Sequence, residues 1–251
     1  MNPHFEPMNK LLKLIPLLAS ALLLACGGGG GGDDGTVPPP VPSDPSAAQG
    51  FWSGQVNAQT TASAVLLPDG TAWNVLRTGA VINSLVRGTT TVSGSAFSIS
   101  GQSFNVAGGA PAAYSISGTL VPKATLTVAA AQGVSGYTLA YNKSYETPAK
   151  LSDVAGRWNA SFGGGALQLA LDFSAGGALS GSSSTGCTYS GSVVPHPAAI
   201  AVFNLSLTET CAGTTAQQFA GIATLNEART LLSAAFTTPS LSAGGLFQAT
   251  R

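Results

Sequence analysis

Downstream of residue 50 the apolar side chains of this chain recur at every second position and almost nowhere at helical spacing. Ala96-Phe97-Ser98-Ile99-Ser100, Tyr114-Ser115-Ile116-Ser117 and Ala124-Thr125-Leu126-Thr127-Val128 alternate. So do Ala166-Leu167-Gln168-Leu169-Ala170-Leu171-Asp172-Phe173 and Val202-Phe203-Asn204-Leu205-Ser206-Leu207-Thr208. Each segment puts Leu, Phe, Ile or Val on one face and mainly small or polar residues on the other, the pattern of a half-buried antiparallel strand. Turn residues break the alternation at Pro68-Asp69-Gly70, Ser93-Gly94, Gly108-Gly109, Gln132-Gly133 and Ala175-Gly176-Gly177. Short, evenly spaced strands of this kind predict an all-β fold of antiparallel sandwich or barrel type.

A faint internal echo divides the strand-rich part. Gly50-Phe51-Trp52-Ser53-Gly54 opens one half and Gly156-Arg157-Trp158-Asn159-Ala160 the other. Gly70 follows Trp52, and Gly176 follows Trp158, at the same interval. Gly118-Thr119-Leu120-Val121-Pro122 is echoed by Gly191-Ser192-Val193-Val194-Pro195, but farther from its Trp, which predicts roughly two extra strands in the first half. The reading is two β units, 50–148 and 153–251, joined through Tyr145-Glu146-Thr147-Pro148-Ala149-Lys150; one barrel drawing on both halves is the alternative. A unit of about 100 residues buries only about 60–65% of its unfolded surface. A Trp at the head of each first strand suits a plug at one end, bringing a large apolar area and an N–H for the rim. This Gly-x-Trp opening resembles that of lipocalin-like barrels.

Composition narrows the function. Ten Lys and Arg face ten Asp and Glu, and only 8% of the chain is charged. Without a basic cluster, nucleic acid is not an expected partner. A hydrophobic content of 44% is enough for a packed core. Of three cysteines, Cys187 and Cys211 lie in the folded part. Read as a disulfide, they close a loop of about 25 residues and contribute roughly 3 kcal/mol. A metal or redox pair is the alternative, with no CxxC to favour it.

The third cysteine has a different setting. Lys10 and Lys13 precede an apolar run from Leu14 to Ala25 of about 12 residues, too short for a hydrocarbon core that needs about 20. A basic start, a short apolar middle and a small residue before the cut read as a secretory signal. Met8 opens a more typical signal than Met1. Leu23-Leu24-Ala25-Cys26 resembles the lipobox of bacterial lipoproteins. The resemblance implies a diacylglyceryl group on the Cys26 thiol, removal of residues 1–25 and acylation of the new amino terminus. Gly27, where an Asp would mark inner-membrane retention, implies the bacterial outer membrane, on its periplasmic face or the cell surface. Membrane lipid is then the partner: each buried methylene contributes about 0.8 kcal/mol, so two or three chains anchor stably where one does not. Residues 26–49 read as a disordered leash. Gly27 to Gly32 has the highest ordering entropy of any residue type, and Pro38-Pro39-Pro40-Val41-Pro42 favours extended polyproline II.

Signals for chemistry are sparse. His196, between Pro195 and Pro197, reads as a turn residue, and no Gly-x-Ser-x-Gly elbow occurs. Asp69, Glu146, Asp153, Asp172, Glu209 and Glu227 are not paired along the chain as glycosidase carboxylates or metal ligands. Tyr137, Tyr141 and Tyr145 share one face at period two, with Leu139 between the first two. They form either an amphipathic binding surface or a core-facing aromatic ladder. The combined expectation is a lipid-anchored, non-enzymatic binding or structural module without a cofactor. The alternative is a lipocalin-like carrier of a small apolar ligand. A hollow barrel favours the carrier and a filled one the module.

Overall fold

A computed structural model describes residues 43–251 apart from 107 and 132–134, so Cys26, the Gly27-to-Gly32 run and the Gln132-Gly133 turn lie outside the described residues. Two closed barrels of eight antiparallel strands follow one another along the chain, each a meander in which sequence neighbours pair. Barrel 1 comprises β1 (Gly50–Gln55), β2 (Thr60–Leu66), β3 (Thr71–Thr78), β4 (Val81–Ser93), β5 (Ala96–Asn105), β6 (Ala112–Val121), β7 (Thr125–Val128) and β8 (Tyr137–Asn142). Barrel 2 comprises β9 (Gly156–Phe162), β10 (Leu167–Phe173), β11 (Ala178–Ser183), β12 (Thr188–Pro195), β13 (Phe203–Thr210), β14 (Gln217–Leu225), β15 (Leu231–Thr237) and β16 (Gly244–Thr250). The alternating segments fall on β5, β6, β7, β10 and β13, with their apolar faces inward.

Both halves have eight strands, so the two extra strands expected in the first half are absent. Its additional residues lengthen β4, β5 and β6 to 13, 10 and 10 residues. Gly118 lies on the sixth strand of its barrel and Gly191 on the fourth, so that part of the echo is not a structural equivalence.

The Trp part of the echo is structural. A short helical turn precedes each first strand, Pro45–Ala48 as a 3-10 turn and α1 (Leu151–Val154) as an α-helical one. Asp44 caps the former, accepting from the Ser46 N–H at 3.1 Å, with Pro45 at the first position where its missing N–H costs nothing. Ala48 and Val154 are both fully buried. Residues 45–48, assigned to the leash from sequence, therefore belong to the fold. Below each turn, Gly70 (φ 86°) and Gly177 (φ 84°), the residue after the Gly176 that the spacing singles out, reverse the chain between the second and third strands. Their carbonyls accept from fourth-strand N–H groups, Thr90 at 2.6 Å and Val193 at 2.8 Å. A Cβ at Gly70 would press on Pro45, and one at Gly177 on Leu151. The same plug closes one end of both barrels.

The described residues 43–251 belong to one compact unit. Where the barrels meet, a third apolar cluster joins Leu67, Trp73, Leu85, Phe104 and Tyr145 to Ile200, Val202, Ile222 and Ala235. Arg77 Nη1 donates to Gln248 Oε1 across the junction at 3.1 Å. The Ala149 N–H donates to the Ile200 carbonyl and the Ala201 N–H to the Tyr145 carbonyl, both at 2.9 Å. Strand β3 thus buries both faces: Ala72 inside its own barrel, Trp73 against the other.

Candidate functional site

The two barrels share a plug and differ at the other end. In barrel 1 that end is filled. Tyr114 on β6, Tyr137 on β8 and Asn74 on β3 crowd into it together. Burial is the main reason the Tyr114 hydroxyl is held well above its ordinary range. The cavity left among them is only about 10 Å³.

Barrel 2 keeps an apolar cup of about 320 Å³, lined by Phe162, Leu167, Leu169, Leu207, Phe219 and Phe236 among others. Two sequence features create it. On β16, Gly245 brings no side chain, and a Cβ there would stand 2.9 Å from the Phe236 ring. On the seam, β16 and β9 pair through a single register position, Thr250 opposite Asn159, although β9 runs on to Phe162. Phe162, Gly245, Leu246 and Phe247, from both sides of that seam, all line the cup.

One charged side chain faces this cup. Leu205 and Leu207 point inward on β13, and the same alternation carries Glu209 to the rim. Its register partner on β12 is Tyr189, whose hydroxyl donates to Glu209 Oε1 at 2.8 Å. Burial, then this bond to a carboxylate, raises the Tyr189 pKa above its usual value. The lining contains no Lys, Arg or His. Phe219 and Phe236 stack edge to face at 5.2 Å, and Phe236 and Phe247 lie 6.0 Å apart.

Cys187 and Cys211 form a disulfide, tying β12 to β13 one position beyond the Thr188–Thr210 pair, at the cup rim. Their sulfurs and a Glu209 carboxylate oxygen lie within 4.8 Å of one another. With the sulfurs joined, the metal reading of the cysteine pair has no thiolates to use.

The three tyrosines do not form one exposed face. Tyr137 lies inside barrel 1. Tyr141 packs against Trp52 at 5.3 Å and donates to Glu146 Oε1 at 3.2 Å, with its own pKa pushed up to about 12, chiefly by burial. Tyr145 is 2% exposed between the barrels, its hydroxyl donating to the Leu66 carbonyl at 3.2 Å. The period-two face ends because β8 stops at Asn142 and the chain enters a 3-10 turn, Lys143–Glu146.

The other candidate groups are dispersed. Asp69 Oδ1 accepts from the Thr71 N–H at 2.8 Å and holds its own turn. Glu146 pairs with Lys123 at 2.7 Å, Asp153 with Arg229 at 3.0 Å and Asp172 with Arg157 at 3.9 Å. His196 Nδ1 accepts from the Ala198 N–H at 3.2 Å, and the residue lines a groove of about 600 Å³ with Asp69 and Arg87. That groove and two others, of about 590 and 680 Å³, are gaps between the outer surfaces of the barrels, each edged by charges of both signs. The cup alone among these is enclosed by the inward faces of one barrel.

Nothing along the chain pairs Glu209 with another acid or a metal ligand. The usable signal was an acid at the next inward position of the Leu205-x-Leu207 face. No protein-family model matches this chain, and neither does any curated protein or solved structure.

Proposed function

We propose that this chain is a lipid-anchored envelope protein whose second barrel binds a small apolar ligand. The observation that carries the reading is the cup of about 320 Å³ in barrel 2, set against a filled barrel 1. Small-molecule sites fall at about 300–1,000 Å³, are mainly apolar and carry a few placed polar groups. Glu209 and Tyr189 are such groups, at one side of a wall of Leu and Phe. The larger grooves fit this description less well, being gaps between two convex surfaces. The lipobox-like Leu23-Leu24-Ala25-Cys26 supports anchoring at the outer membrane, where the acyl chains fix the protein and residues 26–42 provide reach.

Saturation-transfer NMR on the full-length protein in dodecyl maltoside, with benzyl alcohol as probe, tests the cup. Wild type transfers saturation to the probe, and Leu167→Trp, which narrows the cup from its lip, reduces the transfer. Equal transfer to both proteins, or none to wild type, would remove the reading.

A further inference from the structure

Resting on the reading of barrel 2 as a ligand cup, we infer that its ligand is an organic cation: a protonated or quaternary amine carried on an apolar body. The charge pattern favours this class over the fatty-acid anions and neutral apolar molecules that a greasy barrel would otherwise suit. Among the described residues, Glu209 is the one formally charged group in the lining, with no Lys, Arg or His beside it there. One of its oxygens, Oε1, accepts from Tyr189, which fixes the carboxylate toward the cup. An entering carboxylate would meet a like charge, whereas an ammonium meets a counter-ion.

The apolar wall adds a second, independent term. Four phenylalanines, Phe162, Phe219, Phe236 and Phe247, line the cup, and three of them contact one another at 5.2 and 6.0 Å. Aromatic faces attract cations through their quadrupole, and the attraction grows when water is excluded. A carboxylate opposite clustered aromatic rings is therefore a cation trap of modest size, while the Leu167, Leu169 and Leu207 side chains take the apolar body. Barrel 1 has no counterpart. Its equivalent interior is filled by Tyr114, Tyr137 and Asn74 and holds no charged group.

Three water-soluble probes of one shape decide the matter: benzyltrimethylammonium, benzyl alcohol and phenylacetate, titrated by calorimetry into the full-length protein. The cation is expected to bind about tenfold more tightly than the alcohol, and the anion most weakly. Glu209→Gln should bring cation and alcohol within about twofold of each other, with the melting temperature retained. Phe236→Leu should lower the preference for the cation by about threefold without touching the carboxylate. A cation that binds no better than the alcohol, or a preference that survives Glu209→Gln, overturns this inference while leaving the cup in place. If none of the three binds, both the cup and its cation specificity fall.

Discussion

Trp158 donates its indole N–H to the carbonyl of Val154, four residues back, at 2.7 Å. Trp52 repeats the contact with Ala48 at 2.9 Å. Both indoles are essentially unexposed and both acceptors sit on the helical turn that closes the barrel. The residue standing across the seam differs: Tyr141 opposite Trp52, and Arg251 stacked on Trp158 at 4.7 Å while donating to the Ala155 carbonyl at 3.3 Å. The plug is conserved between the barrels in geometry and not in the side chain that covers it.

Trp158→Phe should lower stability by about 1–3 kcal/mol, because it leaves the buried Val154 carbonyl without its donor while keeping most of the ring. Trp158→Ala should cost about 3–5 kcal/mol through the added cavity. Urea unfolding followed by tyrosine fluorescence measures both. Identical midpoints for Trp158→Phe and wild type would show that the hydrogen bond does not stabilise the plug.

The disulfide spans 24 positions, and its removal in a Cys187→Ala, Cys211→Ala double variant should cost about 3 kcal/mol. Because it sits beside the Tyr189–Glu209 pair, its loss should also weaken the register that points Glu209 into the cup. Amide exchange should rise at Thr188 and Thr210 first. Unchanged exchange there would mean that the strands hold the rim alone.

Alkaline pH should unfold this protein earlier than its neutral charge balance suggests. Burial raises the pKa of Tyr114, Tyr137 and Tyr145, and takes Tyr141 to about 12, above the unfolded value near 10. The folded chain keeps these protons while the unfolded chain releases them. The associated stability is thus complete below pH 10 or so and is lost as pH rises through the folded values. Urea midpoints between pH 8 and 11 should be flat and then fall, and Tyr145→Phe should soften the fall. A midpoint that stays level to pH 11 contradicts the assignment.

Cys26→Ala should move the protein from the membrane to the aqueous fraction of cells. Wild type should carry about two or three acyl chains, which together anchor stably where a single chain would bind only reversibly. Mass spectrometry of the mature amino terminus reads this directly. An unmodified thiol, or a cut elsewhere, would remove the anchor.

Alternation at period two placed β5, β6, β7, β10 and β13, since a residue's side of a pleated sheet follows from its position alone. The paired Trp motifs marked where each barrel begins, because a plug needs a large ring with a polar N–H at a fixed place on the first strand. The cysteine pairing was legible from count and spacing. Other features had no local signature. Strand β3, Ala72-Trp73-Asn74-Val75, is apolar on both faces only because a second barrel covers Trp73 and Val75, and no single strand reveals what will lie across it. Tyr137, Tyr141 and Tyr145 look alike along the chain and end in three environments, since a 3-10 turn after Asn142 resets the side-chain phase. Whether a barrel is hollow is a sum over side chains contributed by all eight strands. Tyr114, Tyr137 and Asn74 fill one, while Gly245 and a one-residue seam leave the other open around Glu209. The sequence itself determined the all-β class, the inward faces of the alternating segments and the disulfide. Only closure of the barrels decided which inward faces meet one another and which meet empty space.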